Sequence, residues 1–278
     1  MQGESFFSRL INLRPARILR LVGAYLLFAW LAIAIVDVFD VAGLRAGLGR
    51  DQGGPVWVHL FTEAGVTEML QWLLLATVTL VAAIRSGEQW ERRNVEAARF
   101  LTLLALSATL MLIEDAGNPS HSLAHYGEDI LGRSGFLIEL IFRLPVFLII
   151  GAVPLYAFIR YWPKIARGRN GSRLLIGGVA AYGAAAFSSV PANLLFDFYP
   201  RFGPWFSQRI LGGRLLPLEP FDSLVGQMSS RDFTGWLFMD YVYEESIELI
   251  GAALLLAGVL ALGAALSADR SPAPLEGA

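Results

Sequence analysis

Apolar residues in this chain fall into runs longer than a soluble core requires, and polar residues gather at the ends of those runs. The runs are Ile18 to Val38, Val66 to Ile84, Ala98 to Ile113, Phe136 to Phe158, Leu174 to Phe196 and Phe238 to Leu266. Each approaches or exceeds the ~20 residues an α-helix needs to cross a hydrocarbon core of about 30 Å. The pattern predicts an all-α protein, a polytopic membrane helix bundle of about six transmembrane helices. One transmembrane helical domain is expected over residues 1–266, followed by a disordered tail over 267–278 rich in Pro, Ala and Ser. Gly117-Asn118-Pro119 should end the third helix. Pro145, Pro154, Pro191 and Asn193 should bend later helices and widen the bundle. Between the last two runs, Pro204 to Leu211 reads either as a short interfacial helix or as plain loop.

Composition supports the membrane class. The chain is 55% hydrophobic and only 17% charged, against about 25% charged in soluble domains. Absence of cysteine removes disulfides and thiolate metal sites. A formal net charge of −2 offers no electrostatic footprint for nucleic acid. Residues 1–16 are polar and basic with no small-residue cleavage site after them, so the first apolar run reads as a retained helix.

Basic residues orient the bundle. Arg9, Arg14, Arg17 and Arg20 cluster at the start; Arg85, Arg92, Arg93 and Arg99 lie between the second and third runs; Arg160, Lys164, Arg167, Arg169 and Arg173 lie between the fourth and fifth. The opposite connections carry fewer. By the positive-inside rule both termini are cytoplasmic. A bacterial plasma (inner) membrane is the expected location, with membrane lipid as a partner.

Acids collect at the other end. Asp37 and Asp40 close the first run, Glu63 and Glu68 open the second, Glu114 and Asp115 close the third, Glu139 opens the fourth and Asp197 closes the fifth. The last run begins with Asp240, Glu244, Glu245 and Glu248, and His59, His121 and His125 share the same level. Asp37, Asp40, Glu63 and Asp197 read as interfacial groups facing water. A charge at the bilayer centre costs roughly 2.5–3.5 kcal/mol on insertion scales, so Glu68, Glu114 and Glu248, set against apolar runs, should face an interior pocket.

Candidate chemistry follows from those residue types. His121 and His125 recur at i, i+4, and Glu245-Ser-Ile-Glu248 places two carboxylates on one side of a helical turn. With Glu68 and Glu114 they form the expected ligand set for a divalent metal such as Zn, Mn or Fe. Glu114 and Glu248 are the expected catalytic carboxylates, with Asp115 and Glu244 in supporting or water-facing positions. A metal at the membrane edge would activate water against a lipid-like or amphipathic substrate, giving a metal-dependent hydrolase. No HExxH occurs, and the ExxH pair of di-metal carboxylate bundles is also absent.

Two other functions fit the same residues. Packed carboxylates cannot all ionise, which suits a cation- or proton-binding transporter or sensor. Alternatively the acids are counter-charges in a purely structural bundle, as in an intrahelical ion pair between Glu139 and Arg143 at i, i+4. Gly177, Gly178, Ala181, Gly183, Ala184 and Ala185 read as a close-packing seam.

Overall fold

A computed structural model describes residues 13–47, 54–132, 136–166, 169–189, 196–219 and 228–268. Every regular element among them is helical. Helix α1, Pro15–Ala32, opens with proline at its first position, where a missing N–H is harmless, and continues as a π-helical segment, Ile33–Val38. A short α2, Val56–Phe61, leads to the long α3, Val66–Glu91, and α4, Val95–Gly117. Then follow α5, Pro119–Leu131; α6, Phe136–Ile165; α7, Ser172–Phe187; and α8, Phe198–Arg209. The chain closes with α9, Ser230–Phe238, a π-helical turn at Met239–Tyr243, and α10, Glu244–Ala268.

Among the described residues five helical stretches are long and apolar enough to cross a membrane: Pro15–Val38, Val56–Glu91, Val95–Gly117, Leu140–Ile165 and Ser230–Ala268. The expected fifth run begins on α7, which is apolar but shorter, and its residues 190–195 lie outside the described residues. Large side chains such as Leu27, Phe28, Leu73, Leu148 and Ile159 project outward from these helices and stay exposed. Only a hydrocarbon solvent accommodates an apolar surface of that extent. The protein is therefore an all-α membrane bundle.

Several boundaries move. The expected connection from Ser86 to Arg93 is helical through Glu91, because its polar groups are satisfied within the helices. Arg85 pairs with Glu88 at 2.8 Å, and Ser86 Oγ reaches the Ala98 carbonyl at 2.8 Å. The last span starts at Ser230 rather than Phe238, with Ser229 Oγ accepting from the Asp232 backbone N–H at 3.2 Å as its N-cap. Pro204 to Leu211 resolves toward a helix, since α8 covers it to Arg209. There α8 crosses α9 at glycine: a Cβ added to Gly235 would lie 2.7 Å from the carbonyl carbon of Gly203. Helix α6 runs through Pro145, Pro154 and Pro163. Pro191, Asn193 and residues 269–278 of the expected tail lie outside the described residues.

The bundle is built around α10. In its most apolar window 72% of residues are buried, against 11% for the α6 span, so α10 is central and α6 peripheral. Helix α10 packs on α7, α3 and α1, and α3 packs along α4. Between α7 and α10 the expected close-packing seam is present at Gly178, where a Cβ would come 2.7 Å from Leu255 Cγ. Gly258 mirrors it against Leu175 Cγ, also at 2.7 Å. Gly183 does not belong to that seam, since no described atom lies within 4 Å of its Cβ position. Helix α6 leans on α4 and α5 and makes little contact with α7 or α10. That gap is where the polar residues converge.

Candidate functional site

Between α6 and the rest of the bundle lies a cavity of about 1060 Å³. Its lining includes Glu63, Glu68, Glu114, Asp115, Glu128, Asp240, Glu244, Glu245 and Glu248, opposed by Arg143, His121 and His125. Four of the five acids of the last span, Asp240, Glu244, Glu245 and Glu248, share this space. They do so although the π-helical turn at Met239–Tyr243 alters the simple i, i+4 register across Asp240 and Glu244. π-Helical turns of this kind occur often at functional sites. The cavity continues down α6 past Phe147, Ile150, Pro154 and Leu155 to Phe158. From Arg143 to Phe158 that is roughly 22 Å at 1.5 Å per residue.

A buried amide organises the acids. Gln71, fully buried on α3, donates from Nε2 to Asp115 Oδ2 at 2.7 Å and to Glu248 Oε2 at 2.9 Å. One NH₂ group thus joins the end of α4 to the start of α10. Beside it, Glu114 Oε2 and Glu245 Oε2 are buried and have no hydrogen-bond partner among the described residues. Glu114 as a whole is only 9% exposed. Glu244 is held from the opposite side, where the Tyr199 hydroxyl donates to its Oε2 at 2.6 Å and lies 3.2 Å from Ser188 Oγ. Burial and the neighbouring Glu244 push the Tyr199 phenol far above its ordinary range, so it stays a donor.

The expected site residues divide. Glu68, Glu114, Glu245 and Glu248 all line the cavity, but Glu68 turns one oxygen back to accept from the Ala64 backbone N–H. His121 and His125 stand on α5 at the cavity mouth, their rings edge to face with centroids 5.2 Å apart. The His125 side chain is 70% exposed, with Nδ1 3.7 Å from Glu128 Oε2. Among the described residues no group of three or more His, Asp or Glu side chains is arranged to hold a metal ion. Asp115, expected in a supporting place, is instead a direct partner in the Gln71 clamp.

Arg143 faces the cavity, and its guanidinium acts electrostatically on Asp240 and Glu244. The Glu139 side chain lies outside the described residues, so the expected pair with Arg143 lies there too. Asp37 corrects an expectation: rather than facing water it is 1% exposed. It accepts from the backbone N–H groups of Val56 and Trp57, both at 2.9 Å, and so anchors the first turn of α2.

Sequence reasoning missed Gln71, Tyr182 and Tyr199. An amide three residues after Glu68, inside an apolar run, was a usable signal for Gln71. Tyr182 sits in a Gly/Ala-rich run and lines the cavity, with nothing nearby in sequence to announce it.

No family model, curated protein or solved structure matches this chain. Its class therefore rests on the fold and the cavity: a polytopic helical membrane protein whose bundle is built around a carboxylate-bearing central helix.

Proposed function

We propose that the cavity binds a positively charged group, which it takes up in exchange for protons. The observation that carries this reading is the imbalance within the cavity: nine acids face one arginine and two histidines. Carboxylates so close repel one another unless protons or a cation neutralise them. The cost of leaving them charged is larger still inside a bilayer. Gln71 satisfies one oxygen each of Asp115 and Glu248, whereas Glu114 and Glu245 keep an oxygen free for a ligand. The basic groups Arg85, Arg92, Arg93 and Lys164 at the far end favour, by the positive-inside rule, a cavity that opens on the non-cytoplasmic side. At the far end of the cavity Phe158 stacks on Trp162 with centroids 4.9 Å apart. No polar path continues beyond that stack among the described lining residues, which suits a binding or sensing role or one state of a transporter.

The test is proton release. Protein in nanodiscs in weakly buffered solution with a pH-indicator dye is titrated with tetramethylammonium chloride, with sodium chloride as the ionic-strength control. Protons should appear in proportion to occupied protein, and Glu248→Gln with Glu245→Gln should abolish the signal. Absence of both binding and proton release across the neutral pH range would sink the reading.

One observation favours a second reading, the metal-dependent hydrolase: His121 and His125 share the cavity with the acids. Elemental analysis of purified wild type against His125→Ala and Glu248→Gln checks it. Stoichiometric metal lost in both variants is the supporting outcome.

A further inference from the structure

The cavity has two chemistries, and cation binding accounts for only one of them. Below the acids its walls are Phe147, Ile150, Leu155 and Phe158 on α6 and Ile176 and Val179 on α7. A small hydrated cation has no use for that chamber. Water there would face apolar walls on both sides, and a chamber of this size opening on a bilayer fills most favourably with hydrocarbon.

The side wall is open. Helix α6 rests on α4 and α5 and makes little contact with α7, although the two helices are consecutive. Leu155 on α6 and Ile176 on α7 line the cavity yet are 60% and 49% exposed, so the chamber communicates with the lipid-facing surface between the two helices. Gly151 and Gly183 face this space from either side. At neither would a Cβ meet a described atom within 4 Å, so packing within the protein does not require glycine there. Both leave room that a ligand can use.

At the mouth the recognition elements are cationic in preference. Glu114 is nine-tenths buried, lines the cavity and keeps Oε2 without a partner. Tyr182, Trp236 and Tyr241 contribute aromatic groups at the same level, and ring faces attract ammonium groups, quaternary ones included. An anionic head would meet uncompensated carboxylate repulsion.

We infer that the ligand is a cationic amphiphile, its ammonium head among the acids and its alkyl chain in the apolar chamber, entering from the bilayer between α6 and α7. This rests on the cation-binding reading and adds the ligand's second half. The cavity, at about 1060 Å³, lies just above the ~300–1,000 Å³ typical of ligand sites.

Binding of radiolabelled dodecyltrimethylammonium and of tetramethylammonium to protein in zwitterionic nanodiscs tests the inference, with empty nanodiscs subtracting partition into lipid. The long-chain ligand should bind at least about tenfold tighter, since each buried methylene adds to the apolar transfer term. Gly151→Leu should collapse that ratio toward unity, whereas Glu248→Gln should weaken both ligands together. Ile176→Phe, on the facing helix, gives the same test should Gly151→Leu fail to fold. Equal affinity for the two ammonium ions, or a chain-length preference that survives both chamber variants, would overturn the inference while leaving cation binding intact. Competition by dodecyl sulfate as effective as that by dodecyltrimethylammonium would overturn head recognition. If neither ammonium ion binds, the underlying reading falls as well.

Discussion

Gln71 Nε2 lies 2.9 Å from Glu248 Oε2, so the carboxylate furthest along α10 is tied to α3. The same nitrogen holds Asp115 at 2.7 Å. Three helices therefore meet through one fully buried amide.

Loss of that amide should be costly. Gln71→Leu strands two acceptors, at about 1–3 kcal/mol for each buried group left unsatisfied. Thermal unfolding of the purified protein should shift downward accordingly. In a double-mutant cycle with Glu248→Gln the two changes should couple by about 0.5–3 kcal/mol. Simple additivity would mean that the two side chains do not act on each other.

Tyr199 gives a pH-dependent prediction. Its phenol is held above its ordinary value near 10 by burial and by Glu244. A group raised in the folded state contributes stability in full below its unfolded pKa and loses it as pH climbs through the folded value. Stability conferred by Tyr199 should thus be complete at neutral pH and erode only above about pH 10. Unfolding of wild type and Tyr199→Phe, compared between about pH 8 and about pH 11, should show the larger alkaline loss in wild type. At neutral pH the variant should be weaker by about 0.5–1.5 kcal/mol, the range for a hydrogen bond between uncharged groups.

Asp37 should behave as a structural acid. Asp37→Ala removes the acceptor for two backbone N–H groups at the start of α2 and should destabilise by about 1–3 kcal/mol. Asp37→Asn, keeping one carbonyl oxygen, should fall between. Neither should change the affinity for tetramethylammonium, because Asp37 lies outside the cavity lining. A change in that affinity would mean that α2 is coupled to the site.

Two glycines on α7 should respond oppositely to alanine. At Gly178 the new Cβ would sit 2.7 Å from Leu255 Cγ and 2.9 Å from the Leu255 backbone nitrogen. Overpacking of this kind costs about 1–3 kcal/mol. At Gly183 the space is open, and the gain in helix propensity should make the change neutral or stabilising by up to about 1 kcal/mol. Thermal unfolding of the two variants side by side is the check, and equal destabilisation would place Gly183 in the packed seam after all.

The fold was legible because hydrocarbon imposes long apolar runs, and five of the six expected runs fall on helices of membrane-spanning length, the fifth on the shorter α7. Ends were less legible: the sequence offered charge at Ser86 to Arg93 as a reason to leave the helix. Local pairing of Arg85 with Glu88 removes that reason. Convergence of Glu68, Glu114, Glu245 and Glu248 on one cavity followed from depth alone. Partner choice did not, because it depends on which faces α3, α4 and α10 turn toward one another. Gln71 becomes the joint of the site only once that packing is fixed, and Asp37 is distinguished from the cavity acids by the fold of α2 beneath it. The histidines share the depth of the acids yet stand at the mouth, since α5 lies along the rim on α6.

The order of the helices along the chain has a consequence for biosynthesis. Chains are made N-terminus first, so the carboxylate-bearing α10 is the last described helix to leave the ribosome. By then α1, α3 and α7 already stand in the bilayer, with Gln71 and the glycine seam in place to receive it. Each acid entering lipid alone would face roughly 2.5–3.5 kcal/mol on insertion scales. Arriving late, the segment can slide from the translocon into a prepared socket, and its acids need never meet bare acyl chains.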